Sequence, residues 1–275
     1  MTSGPGTGKP EAGAAATSDR WVPWITTPLL VLVLLFVWNL YVRLSGITGF
    51  ILPAPGDVWD AYLDEIGKPT LWQHSWFTLY ETVVGFVWAV VIGVGLGVLI
   101  GRWRWLETTM KPFVVATQVV PKVALVPLFV VWFGFGPTSK VLLAATLAFF
   151  PILTNTVLGV KSVDLGHRDV MLALNAARWK TFMRLELPSA LPYVLTGMEV
   201  GIVLSIIGAV VGEYLGGSNG LGYLLIAKMN AYETDALFAV IIHLTLIGFA
   251  FYWLMGSVRR LLIPWHESVL IDRAG

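Results

Sequence analysis

Residues Lys161 to Arg184 read KSVDLGHRDVMLALNAARWKTFMR and run directly into LELPSALP at 185–192. This stretch is polar, basic and compatible with helix, yet it interrupts a chain that is apolar on both sides. The flanking segments are long enough to cross a bilayer, which takes about 20 mostly apolar residues. A charged helical patch wedged between membrane spans reads as a docking surface for a soluble partner.

Working outward, the composition gives the same class. Apolar residues make up 56% of the chain and charged residues 13%, with a mean hydropathy of +0.75. Soluble domains carry about a quarter charged residues, so the length is read as one polytopic membrane protein rather than one or two soluble domains. A net charge of +1 points to no nucleic-acid partner, and the absence of cysteine excludes disulfides and thiolate metal sites. His74, His167, His243 and His266 lie far apart without ligand spacing, so no metal site is expected.

Six segments qualify as spans: 23–44, 75–101, 112–135, 139–160, 190–215 and 235–258. Residues 1–20, rich in Gly, Ala, Ser, Thr and Pro, cannot offset their ordering entropy and read as a disordered cytoplasmic tail. They lack the features of a signal peptide. Residues 21–265 form the membrane domain, with the docking loop at 161–188, and 266–275 form a second cytoplasmic tail. With both termini in the cytoplasm, thirteen Lys and Arg residues fall inside and four outside (Arg43, Lys68, Lys140 and Lys228), while Lys122 lies within a span. The basic loop then faces the ATP-containing compartment. Trp21, Trp24, Trp103, Trp105 and Trp265 fall at inner boundaries and Trp72 and Trp76 at an outer one, as membrane-interface rings do.

Two spans carry small residues on one helical face: Gly93, Gly97 and Gly101 in the second, and Gly197, Gly201 and Ser205, continued by Gly208 and Gly212, in the fifth. Such faces let backbones approach closely where lipid provides no hydrophobic drive. The third span contains Pro121 and Pro127, each of which removes a backbone donor. Irregular backbone at membrane depth persists only against protein or a water-filled cavity, so VVPKVALVPLFVVWFGFG at 119–136 is expected to wall a pathway.

The spacing of Asp169, Asn175, Leu185, Leu187 and Pro188 resembles the EAA loop of bacterial ATP-binding-cassette importer permeases, E-A-A-x3-G-x9-I-x-L-P. The third span resembles the pattern P-[KR]-x-A-x-x-P-L-x-x-x-W-F-G-x-G of the nitrate/sulfonate/taurine branch. ILPAPGDVW, GFVWAVVIGVGLGVLIG and GEYLGGSNGLGYLL match the same branch in order. Together the likeness runs from about Leu52 to Gly256. It implies an all-α, six-span bundle of the type I importer (MetI-like) fold in the bacterial plasma membrane. It further implies a second copy of the chain, two cytoplasmic ABC ATPases carrying ATP and Mg, and a periplasmic or lipid-anchored solute-binding protein meeting the outer loops at 52–73 and 216–233. The loop would seat a short coupling helix, expected at 173–180, on the ATPase, with Asp169, Ala173, Asn175, Ala176, Ala177, Arg178, Leu185, Leu187 and Pro188 as its residues. The chain departs from the pattern at Val170 and Met171, where alanines are usual, and at Asn175, where glycine is usual. Asn tolerates left-handed backbone best after glycine, so the turn is expected to survive. Glu199 stands where the branch often has a basic residue.

Ionisable groups inside spans cost about 2.5–3.5 kcal/mol each on insertion scales and are functional candidates. With Pro121 and Pro127, the pathway candidates are therefore Glu81, Lys122, Glu199 and Glu213. Lys122 either attracts an anionic substrate or pairs with one of the three glutamates. Glu213, beside the glycine-rich GGSNGLG, closes an outer gate, contacts a binding protein or makes a structural hydrogen bond. No G-x4-G-K-[ST] phosphate loop is present, so the chain is read as a non-catalytic subunit without a cofactor of its own. Its solute is expected to be a small anion of the nitrate, alkanesulfonate or taurine kind, or alternatively a pyrimidine vitamin precursor or aromatic acid. A stand-alone secondary transporter would show paired broken helices, and only one span is broken. An intramembrane enzyme would need clustered acids or histidines, and none appear.

Overall fold

The glycine faces decide how this chain packs. In the computed structural model, which describes residues 22–264, both faces close on the same helix. The helices are α1 (Val22–Ser45), α2 (Pro55–Ile66), α3 (Pro69–Arg102), α4 (Arg104–Val119), α5 (Val126–Phe133), α6 (Pro137–Lys161), α7 (Leu165–Ala173), α8 (Arg178–Thr181), α9 (Leu187–Gly216), α10 (Leu221–Asn230) and α11 (Thr234–Leu262). A 3₁₀ turn, Lys122–Leu125, precedes α5, and a π-helical turn, Phe182–Glu186, joins α8 to α9. The expectations for tails 1–20 and 266–275, and for Trp21, Trp265 and His266, lie outside the described residues.

Helix α6 is held between α3 and α9. Added Cβ atoms at Gly85, Gly93, Gly97 and Gly101 would meet Ala144, Ile152, Thr156 and Val160, at 2.6–3.0 Å. These pairs keep a constant sequence offset, so α3 and α6 run parallel. On the other side Gly197 meets Asn155 and Pro151, Gly208 meets Ala144 and Gly212 meets Lys140. The order is reversed, so α9 is antiparallel. Ser205 Oγ, on the same face as the α9 glycines, donates to the Thr82 carbonyl of α3 at 2.9 Å. The buried core grows around this contact from Phe86, Ala89, Ala148, Ile152, Ile202 and Met255.

Parallel α3 and α6 require the chain to return between Arg102 and Pro137. Only α4 and α5 lie there, and they are bent by 85° at their break. The bent pair thus supplies the sixth crossing beside five long apolar helices. Pro121 sits at the break, as the N-cap of the 3₁₀ turn. Pro127 does not break anything: it lies in the first turn of α5, where a missing N–H costs no helical hydrogen bond.

Two helices were not anticipated. α2 is too short and too charged to span, and α10 lies inside 216–233, expected to be an outer loop. α3 also begins at Pro69, earlier than residue 75. Prolines at N1 or N2 start several of these helices, α2 and α3 among them, which sequence hydropathy does not register. Trp24, Trp72, Trp76, Trp103 and Trp105 are all exposed, as interfacial rings should be. The loop between α6 and α9 lies at one end of the bundle, the loop end; the start of α3, α6 and α11 marks the far end.

Candidate functional site

At the loop end the chain leaves α6 and caps the next helix with Asp164, whose carboxylate accepts from the Gly166 N–H at 2.6 Å. Helix α7 then stops at Ala173. Asn175 takes φ +53°. The Asn175 N–H donates to the Leu172 carbonyl at 2.9 Å and the Ala176 N–H to the Met171 carbonyl at 3.0 Å, which is a Schellman closure with asparagine in the usual glycine place. The helix expected over 173–180 does not form as one element: α7 ends at Ala173, 174–177 is the turn, and α8 starts at Arg178. Asp169 is exposed in mid-helix, Ala173 is the last helical residue, and Ala176 is half-buried beneath the turn. Ala177 caps α8, which begins with Arg178.

Leu185 lies in the π-helical turn, while Leu187 and Pro188 open α9. Pro188 offers no N–H to the Arg184 carbonyl, and its ring crowds that carbonyl, so the backbone widens by one residue just before it. The turn is tied down by Glu186, which is buried and reached by Arg102 Nε at 3.3 Å. The Arg102 guanidinium also lies 4.8 Å above the Phe182 ring. Nearby, Lys161 and Glu107 form an ion pair joining α6 to α4. What the sequence did not single out is the exposed apolar set on and after α7: Leu165, Leu172 and Leu174 are each more than 70% exposed. Their signal was present as apolar residues within a charged stretch.

The far end is built in the opposite manner. Glu81 of α3 and Glu213 of α9 are each 1% exposed. Glu81 is reached by the Lys140 ammonium at 3.6 Å, and Lys140 is itself 3% exposed. Lys140, counted among the outer charges at the start of the fourth span, is thus a buried partner, because the parallel register of α3 and α6 brings it beside Glu81. Glu213 accepts from Thr78 Oγ1 at 2.7 Å and from the Gly222 N–H at 2.8 Å. Thr78 Oγ1 in turn accepts from the Leu221 N–H at 2.8 Å. Both amides belong to the first turn of α10, so Glu213 and Thr78 act as its cap. Gly220, at φ +99°, lies so close that a Cβ there would fall 2.0 Å from the Glu213 carboxyl carbon. Its N–H donates to His74 Nδ1 at 3.0 Å. Glu213 thus serves as a buried structural acceptor.

The other candidates separate. Glu199 pairs with Arg259 at 3.1 Å, joining α9 to α11 near the loop end. Lys122 is half-buried and forms no ion pair with Glu81, Glu199 or Glu213; its ammonium lies 4.9 Å over the Phe150 ring. The expected Lys122–glutamate pair is therefore replaced by a cation–π contact across the proline break.

A second charged group at the far end was not foreseen. Lys228 of α10 donates to Glu65 of α2 at 2.8 Å and to Glu233 at 2.7 Å, while Lys68 reaches Glu65 at 2.9 Å. Burial pushes the Glu65 carboxyl up, but hydrogen bonds from Lys228 and Lys68 outweigh it and hold the group below its ordinary value. Lys228 is pulled down by burial and more strongly raised by Glu233 and Glu65.

The family model described as "Binding-protein-dependent transport system inner membrane component" matches residues 89–263. The riboflavin transport system permease protein RibX of Chloroflexus aurantiacus is 38% identical over 90% of this chain and 92% of its own length. The formylaminopyrimidine transport permease protein ThiX of Halalkalibacterium halodurans is 33% identical over 87% and 95%. The taurine transport system permease protein TauC of Escherichia coli is 31% identical over 86% and 88%. Among solved structures, the inward-facing MetNI methionine ABC transporter matches with a TM-score of 0.63 at 19% identity, covering 70% of this chain and 95% of that one, a likeness of fold.

Proposed function

Because the chain belongs to the family of binding-protein-dependent transport system inner membrane components, and so is a permease subunit of an ABC importer, we propose the following assembly. Two copies enclose a solute path in the bacterial plasma membrane with both termini cytoplasmic, and each α7 docks on a separate cytoplasmic ATPase. ATP and Mg²⁺ are held by that ATPase, and a solute-binding protein meets the far end. The observation that carries this reading is α7: a short helix with a closed cap at each end, held between two spans, with Leu165, Leu172 and Leu174 turned outward. Large apolar side chains left exposed within a polar surface mark a place where another molecule binds.

The test is copurification. Leu172→Glu should abolish capture of the ATPase encoded alongside this chain while membrane insertion is unchanged; normal capture and transport in that variant overturns the docking assignment. Sidedness is checked by cysteine labelling on this cysteine-free chain: Ser162→Cys should label only from the cytoplasm and Ser218→Cys only from outside. Labelling of both from one side would refute the map.

For the solute, the relatives with 38% and 33% identity carry the names of a flavin and a pyrimidine, which supports a heteroaromatic vitamin or vitamin precursor. A second reading, a small anion, is favoured by Lys122, a half-buried ammonium at the broken helix with only an aromatic ring as its described partner. Binding of riboflavin, a formylaminopyrimidine and taurine to the binding protein encoded alongside decides between them. If the anion reading holds, Lys122→Gln lowers transport in an assembled complex.

A further inference from the structure

A cavity of about 710 Å³ opens at the loop end, between the end of α3 and the α7–α8 turn. Three guanidinium groups line it, those of Arg102, Arg168 and Arg178, against one carboxylate, Glu186. That carboxylate is already engaged by Arg102 at 3.3 Å. Arg168 uses Nη2 to donate to the Val160 carbonyl at 3.2 Å, while its Nε is buried without a hydrogen-bond partner. The cavity wall therefore carries a surplus of positive charge, three arginines against one glutamate. Its remaining wall is of another kind: Val98 and Leu99 continue the apolar surface of α3, and Trp103 and Trp179 stand at the rim, 51% and 67% exposed.

We propose that this cavity holds the phosphate headgroup of an anionic phospholipid from the adjoining leaflet. Guanidinium forks bind phosphate bidentately. Indole rings mark headgroup depth. Basic pockets between transmembrane helices on the cytoplasmic side are suited to anionic headgroups. The volume exceeds what a bare phosphate ion needs and accommodates a headgroup with its glycerol, while Leu99 leads from it toward the acyl region. Because Arg168 belongs to α7 and Arg178 lies beyond the turn that ends it, one phosphate bridging them to the α3 end would pin the docking helix against the bundle. Membrane composition would then set how firmly the loop is held. The assignment to the cytoplasmic leaflet rests on the orientation proposed above; the binding site itself does not.

The experiment uses the full chain in detergent micelles with added phosphatidylglycerol or phosphatidylcholine, and native mass spectrometry counts retained lipid. The wild type should retain phosphatidylglycerol in preference. Arg168→Gln with Arg178→Gln should lower its retention by about tenfold, whereas Arg104→Gln with Arg260→Gln, which removes equal charge elsewhere, should not. Equal losses in the two pairs would reduce the effect to surface charge and overturn the site, as would a wild type without headgroup preference. Displacement of the lipid by inorganic phosphate at matched ionic strength would make this a free-anion site and overturn the lipid. Should the glutamine pair fail to fold, Arg168→Lys with Arg178→Lys keeps the charge and loses the fork; intermediate retention supports the proposal, and unchanged retention counts against it. No ATPase or solute enters the measurement, so its failure is separate from failure of the importer reading, and a reversed orientation would appear in the cysteine labelling alone.

Discussion

The two ends of this bundle handle charge in opposite ways. At the far end Glu81, Lys140 and Glu213 are removed from solvent, and the Glu213 carboxylate is closed by Thr78 and the first turn of α10. At the loop end most polar residues of α7 and α8, Asp169, Arg178 and Lys180 among them, stay exposed, and large apolar side chains stand among them. An end that sets its buried charges beside one another holds helices in register, whereas an end that leaves apolar side chains in water is shaped for another molecule. The comparison ties stability to the far end and, on the function proposed above, coupling to the loop end, and it can be broken.

The largest effect is expected at Lys140. Lys140→Gln leaves the Glu81 carboxylate buried without its ammonium, a loss of about 3–5 kcal/mol when one member of a buried pair is removed. Thermal unfolding of the purified complex reads it, and Lys140→Met combined with Glu81→Leu should recover much of the loss. If Lys140→Gln melts like the wild type, the far end is not the stabilising one.

The next concerns the contact between the ends. Gly208→Ala would set a Cβ 2.7 Å from the Ala144 Cα, where backbone must give, at a cost of about 1–3 kcal/mol. Gly95→Ala meets nothing within 4 Å and should be neutral or stabilising by up to about 1 kcal/mol. Equal melting of the two variants would remove α6 as the shared seam.

At the loop end the effect should appear in coupling rather than in melting. Asn175→Gly keeps the left-handed turn and should leave solute-stimulated ATP hydrolysis unchanged. Asn175→Val opposes that turn by about 1–2 kcal/mol and should lower the stimulated rate with little change in the melting temperature of the membrane domain.

The smallest effect sharpens the far end by pH. Glu65 is held below its ordinary value of 4.5, so its contribution is complete above that pH and is lost as pH falls through the lower folded value. Lys228 is raised above 10.5, so its contribution is complete below that pH and is lost as pH rises through the folded value. The α2–α10 bridge therefore holds across the neutral range. Melting followed from neutral pH down to about pH 3 should show a loss of about 1 kcal/mol or less from this bridge, and Lys228→Gln should diminish that acid-side loss.

Much of the molecule is legible in the chain itself. The apolar spans follow from composition, the break at Pro121 from a missing donor, and the turn at Asn175 from the tolerance of asparagine for positive φ. Each of these depends on a residue and its immediate neighbours, which is why reading along the sequence finds them. The family likeness implied a docking role for 161–188, but the helix expected there at 173–180 lies about two turns after α7 begins, since the pattern aligns residues and does not locate a Schellman closure.

Only the tertiary structure decided which charges meet. Lys140 reads as an outer charge and proves to be the partner of Glu81, while Lys122, which reads as meeting a substrate anion or one of three glutamates, lies over Phe150. The glycines of α3 and α9 could be read as close-packing faces, but not that both faces close on α6 with one parallel and one antiparallel register. That register is set by contacts between residues far apart in the chain, and a shift by one helical turn would exchange every buried partner. Hydropathy determines that a helix enters the membrane; the fit of one helix surface against another determines what each buried group touches.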